Sequence, residues 1–193
     1  MTNTAIRWSG LLLIVGAAFF GTAVVMISFN PVANQPLSPR ISLLLLLSSI
    51  CWLLSLPAMY AKQAGAAGWL GLAGHALLQT GILLLVVVAS PPLLYPSLNA
   101  TSGENRVVFL LGIAFTLGLL LTGIATLRAG VFPRWASILL LAATAGFFFV
   151  FFIAEFLPAG AGQVGSATLG VLLALALAWI GLSMWTSQLG RTG

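Results

Sequence analysis

Six stretches of about 20 apolar residues follow one another along the chain, at 9–29, 41–60, 69–89, 107–127, 135–157 and 164–185. A bilayer core roughly 30 Å thick takes about 20 helical residues at 1.5 Å rise, so each stretch is long enough to span it. In lipid every backbone N–H and C=O must be paired internally, which leaves only helices or a closed barrel. The runs are continuously apolar, without the period-2 alternation of barrel strands, and this selects helices. The expected fold is therefore all-α: residues 1–193 form one polytopic membrane domain, a bundle of six transmembrane helices.

Composition excludes the alternatives. With 61% hydrophobic and 5% charged residues, the chain lacks the charge that a water-exposed surface needs. The net charge of +5 does not point to nucleic acid, because the basic residues are sorted by position. Arg7, Lys62, Arg128, Arg134 and Arg191 fall at the two ends and in the second and fourth connections, whereas Arg40 and Arg106 fall in the first and third. Five against two places both termini in the cytoplasm by the positive-inside rule, with a mild attraction to anionic membrane lipid as a by-product. Trp8, Trp69, Trp135 and Trp185 sit at the same expected helix ends, at headgroup level, while Trp52 and Trp179 lie deeper and read as packing residues.

Several motifs carry little chemistry. The single cysteine, Cys51, permits no intramolecular disulfide and no multi-thiolate metal site. The first apolar run exceeds the 7–15 residues of a signal-peptide core and reads as a retained helix. Gly160, Gly162 and Gly165 spell G-x-G-x-x-G, but that motif needs a preceding strand and here joins two apolar runs. Asn99-Ala100-Thr101 matches a glycosylation sequon, which matters only in a eukaryotic host.

Helix faces say more. Ala67, Gly71, His75 and Gln79 recur every fourth residue, as do Ser166, Gly170, Ala174 and Ala178. Small residues at that spacing let membrane helices approach closely. The expected cytoplasmic connections are short, near Ala61–Gly68 and Arg128–Arg134, and make hairpins of the helices they join.

Within the apolar runs the chief ionisable groups are His75 and Glu155. An ionisable group inside a membrane is a functional candidate by default, so His75, Gln79 and Glu155 form the candidate ligand-binding set. The structural reading of His75 is a neutral imidazole hydrogen-bonded to a hydroxyl, with Gln79 one turn away on the same face. Glu155 reads as an ion pair with Arg106 or Arg40, which begin runs at the same outer level. His75 and Glu155 stand roughly 18 Å apart along the membrane normal, which excludes joint acid–base work. No nucleophile–histidine–carboxylate set gathers at one depth, and the donors for a zinc site of the usual kind are lacking. No catalytic residue, metal or cofactor is expected.

The segment Leu127-Arg128-Ala129-Gly130-Val131-Phe132-Pro133-Arg134-Trp135 resembles one that recurs in small bacterial multi-pass membrane proteins, and Met59-Tyr60-Ala61-Lys62-Gln63-Ala64-Gly65 through Gly74 is similar to another. The resemblance implies a six-helix protein of the bacterial plasma membrane and brings no activity, cofactor or site residue with it. Physically, Pro133 fixes the start of the fifth helix, and Arg134 and Trp135 anchor it at the interface. The expectation is a non-catalytic accessory, assembly or interaction subunit. Its partners would be membrane lipid, other membrane subunits or further copies of itself, and not nucleic acid. The alternative is a carrier for a small apolar or lipid-like molecule, held between the His75–Gln79 face and the phenylalanine-rich fifth helix. A lipid-active enzyme is the third reading.

Overall fold

The computed structural model describes residues 3–29, 38–90, 102–153 and 161–186. Among them are five helices and no strand: α1 (Asn3–Phe29), α2 (Pro39–Ala89), α3 (Ser102–Ala129), α4 (Arg134–Ile153) and α5 (Ala161–Thr186). Four stretches are long and apolar enough to cross a membrane: Thr4–Phe29, Pro39–Ala89, Arg106–Ala129 and Val164–Thr186. Arg134–Val150 is a shorter apolar helix. The chain is a helical membrane protein.

The 51 residues of α2 are not one straight rod. Gly68 has φ 57° and ψ −154°, a conformation that glycine adopts at low cost because it lacks Cβ. The Tyr60 and His75 ring centroids are 5.0 Å apart, whereas 15 residues of continuous helix would separate them by about 22 Å. The chain therefore doubles back at Gly68, and residues 39–67 and 69–89 lie side by side as two arms. Ser38 starts the first arm: its hydroxyl accepts from the Ile41 N–H at 3.4 Å, and Pro39 supplies a preset φ at the first helical position.

This turn corrects one expectation. Residues 61–67, expected as a loop, are helical, and Gln63 is buried within them. Four alanines in these seven residues favour helix strongly enough to carry the first arm up to Gly68. The connection between α3 and α4 covers residues 130–133, within the expected Arg128–Arg134. Gly130 (φ 62°) closes α3 in the left-handed conformation, Phe132 is buried, and the Pro133 carbonyl accepts from Ala136 N–H at 3.0 Å to open α4.

The helices pack as a ring. α1 lies against the first arm of α2, the second arm against α3, α3 against α4, α4 against α5, and α5 returns to α1. Neighbours run antiparallel with constant register. Gly74 meets Leu121 and Thr122, Gly81 meets Phe115, and Gly118 meets Leu77 and Leu78. In α5, Gly170 meets Val24 of α1, while Gly181 meets Gly10 and Ile14. The stripe of Ser166, Gly170, Ala174 and Ala178 thus finds its partner within this chain. Ser28 and Ser166 hydroxyls stand 3.4 Å apart at one end of that pair, and Ala174 faces Gly21 further along. At the other end the Arg7 guanidinium sits 4.7 Å above the Trp185 ring, so the start of α1 and the end of α5 share one end of the bundle.

Candidate functional site

The middle of the ring is filled by aromatic side chains from three helices. Trp52 stacks on Phe115 at 6.0 Å and Phe20 lies 4.9 Å from Trp52, with Phe20 and Phe115 6.1 Å apart. Gly16 makes room for the indole: a Cβ there would stand 2.6 Å from Trp52 Cδ1. Leu13, Leu56, Leu78, Ile82, Leu119 and Leu177 close around a small apolar void beside Trp52. Sequence reasoning assigned Trp52 a packing role, and the residue is 2% exposed. Trp179, read the same way, is instead 45% exposed and faces outward from the bundle. Lipid tails are as apolar as a protein interior, so a mid-span tryptophan is stable in either place.

Of the five site residues named from sequence, the structure brings two into contact. The Gln79 amide nitrogen and His75 Nε2 are 3.1 Å apart. Because the amide NH2 can only donate, Nε2 accepts and the ring proton is on Nδ1 in this orientation. The imidazole stacks on Tyr60 with an interplanar angle of 19°, which braces the two arms of α2 next to their turn. Both His75 and Gln79 are half-buried. Arg40 and Arg106 are exposed near the starts of α2 and α3. Glu155 lies outside the described residues, and so does its expected pairing with Arg106 or Arg40.

Chemically, the His75 cluster offers a hydrogen-bonding imidazole, an amide and a phenol, with no described carboxylate or second metal donor beside them. Among the described residues no three His, Cys, Asp or Glu side chains gather in a metal-binding group. Gly162 and Gly165 of the G-x-G-x-x-G run belong to α5 or its start, with no strand among the described residues before them.

Two features escaped sequence reasoning. Gln63 is 2% exposed and its Oε1 accepts from the Thr126 hydroxyl at 2.9 Å, a bond between α2 and α3 deep in the ring. Its signal was present in part: Thr122 and Thr126, one turn apart, mark a polar face on α3 that needs a partner. Thr126→Val strands the Gln63 carbonyl and is expected to lower stability by about 1 kcal/mol. Adding Gln63→Leu should recover much of that loss, as read by thermal unfolding of single and double variants in mild detergent. The second feature is the glycine ladder. Gly74 and Gly81 on one helix and Gly118 on the other bring the second arm of α2 and α3 into backbone contact.

A shallow apolar groove of about 490 Å³ runs between α1 and α5, lined by Ala17, Gly21, Thr22, Ala174 and Ala178 among others. The phenylalanine-rich helix α4 rests on α3 and α5. Comparison with protein families, with curated proteins and with solved structures found no match to this chain.

Proposed function

We propose that the chain crosses a bacterial plasma membrane six times with both ends in the cytoplasm, and acts there as a non-catalytic accessory or assembly subunit. The two arms of α2 make separate crossings, and the apolar run at 135–157 makes the fifth. A 51-residue helix would extend about 76 Å, far beyond a bilayer core, so a fold at Gly68 is what a membrane requires of it. Arg7, Lys62, Arg128 and Arg134 then share one side with Trp8, Trp69 and Trp135, the arrangement expected of a cytoplasmic face.

The observation that supports the functional reading is the filled centre of the bundle among the described residues. The Phe20–Trp52–Phe115 stack and its leucine shell occupy the position where a carrier would hold its cargo. That leaves the outer helix faces as the parts that meet other molecules, which is the property of an interaction subunit. Purification in mild detergent followed by mass spectrometry tests this: a stoichiometric membrane-protein partner is expected, and a chain that always isolates alone contradicts it. The α1–α5 groove favours a second reading, a binding protein for an apolar or lipid-like molecule. An apolar compound retained by the wild type and lost in Gly21→Leu would support that reading over the first.

A further inference from the structure

We propose that the seam between the two arms of α2 binds the ring of a membrane-soluble quinone, with His75 and Gln79 as its hydrogen-bonding residues. The inference rests on the membrane reading above. His75 lies six residues inside Trp69, so about 9 Å along the helix, and Trp69 is 78% exposed, as suits a ring at headgroup level. The imidazole therefore stands among acyl chains, where an N–H without an acceptor is costly. Its Nε2 is taken by the Gln79 amide nitrogen at 3.1 Å, which leaves the ring proton on Nδ1. Among the described residues nothing accepts from Nδ1, and the atom is not sealed inside the bundle. A donor is thus held in a fixed direction at a depth where phospholipid offers no acceptor.

The opposite arm completes the seam. Tyr60 stacks on His75, and the antiparallel arms then set Pro57 level with Leu78, next to Gln79. Pro57 is exposed and has no N–H, so the Leu53 carbonyl one turn before it loses its usual helical donor. Tyr60, His75 and Gln79 are each half-buried, so the seam they form opens on lipid. It presents imidazole, amide and phenol donors beside two carbonyl acceptors, on otherwise apolar walls. Phospholipids keep their oxygens at the interface, above the level of His75. A quinone instead carries two carbonyl oxygens on a flat apolar ring that dissolves in the bilayer core. Those oxygens accept from the His75 Nδ1–H and from the amide proton of Gln79 that His75 does not take. The hydroxyls of the reduced ring meet the Leu53 carbonyl and Gln79 Oε1, so both forms are held.

His75 is the single histidine of the chain, so nitrogen-15 labelling at histidine gives one pair of imidazole resonances. The test is solid-state NMR of the labelled full chain in phosphatidylcholine bilayers, titrated with decylubiquinone. The free protein is expected to show a protonated Nδ1 and an unprotonated Nε2. Decylubiquinone should move the Nδ1 resonance saturably and more than Nε2. Decylbenzene, with the same tail and a ring without oxygens, should move neither. Gln79→Leu should mix the two tautomers and raise the half-saturating decylubiquinone concentration about fivefold. Thr22→Val, in the α1–α5 groove, should leave the titration unchanged. A resting imidazole protonated on Nε2, a Nδ1 resonance that decylubiquinone leaves in place, or an equal shift with decylbenzene would each overturn the site alone. A chain that does not enter the bilayers would contradict the membrane reading instead.

Discussion

Gly118→Leu is expected to abolish the folded bundle. Even a single methyl at this position would run into the backbone of Leu77 and Leu78, and backbone cannot turn aside as a flexible side chain can. The partner positions are equally tight: a Cβ on Gly74 would stand 2.7 Å from the Thr122 nitrogen, and one on Gly81 2.7 Å from Phe115 Cα. The second arm of α2 and α3 would have to separate along their whole length. Gly118→Ala should therefore cost about 1–3 kcal/mol, and Gly118→Leu more than the bundle can absorb. Gly65 is the control, being helical with nothing within 4 Å of a Cβ placed there. Gly65→Ala is expected to be neutral or to stabilise by up to about 1 kcal/mol, since alanine loses less backbone entropy in a helix. Size-exclusion profiles and thermal midpoints in mild detergent distinguish these outcomes. Equal behaviour of the two alanine variants would show that the glycine ladder is not a contact.

Trp52→Ala is the second large effect. In a membrane bundle the apolar side chains gain little from leaving lipid, so the loss comes mainly from contacts across the ring. Removing the indole takes the centre out of the Phe20–Trp52–Phe115 stack and opens a cavity bounded by helices that meet backbone to backbone elsewhere and cannot collapse inward. A cost of about 3–5 kcal/mol is expected. Trp52→Phe separates ring packing from the rest of the indole. The Trp52 Nε1–H is buried without a hydrogen-bond partner, so deleting it removes an unfavourable group and offsets part of the lost volume. Trp52→Phe should thus cost less than about 1.5 kcal/mol. Thermal unfolding followed by tyrosine and residual tryptophan fluorescence provides the readout.

The parts of this fold that were legible in the sequence are those set by local chemistry. Run length announced the apolar helices, and Pro133 marked the start of α4 because its ring fixes φ at the entry to the helix. The spacing put His75 and Gln79 on one helix face, but the partner of the imidazole is the Gln79 amide where a hydroxyl was expected. The α2 turn was harder to bound. Gly65 and Gly68 are chemically identical, yet the first stays helical and the second takes a positive φ, a choice made by packing of the two arms. Polar residues Lys62 and Gln63 suggested a loop, but Gln63 is held inside by Thr126, 63 residues away.

Contacts between distant helices were the least legible. The small-residue stripe on α5 announced a tight interface, whereas nothing in its spacing named α1 as the partner. Phe20, Trp52 and Phe115 sit in runs where almost every residue is apolar, so no polar face reveals which side turns inward. The same ambiguity misplaced Trp179. Soluble helices carry a polar face that orients them; here the solvent on the far side is itself apolar.

Everything proposed for function depends on the chain reversing at Gly68 within the plane of the membrane surface. Cysteine accessibility tests this most directly. In a Cys51→Ser background, single cysteines at Ala66, Ser90 and Val131 would be probed with a membrane-impermeant maleimide applied to one face at a time. Ala66→Cys and Val131→Cys are expected to react from the same face, and Ser90→Cys only from the other. Ala66→Cys and Ser90→Cys reacting from one face would contradict the doubled-back arrangement, and with it the six crossings and the shared basic face.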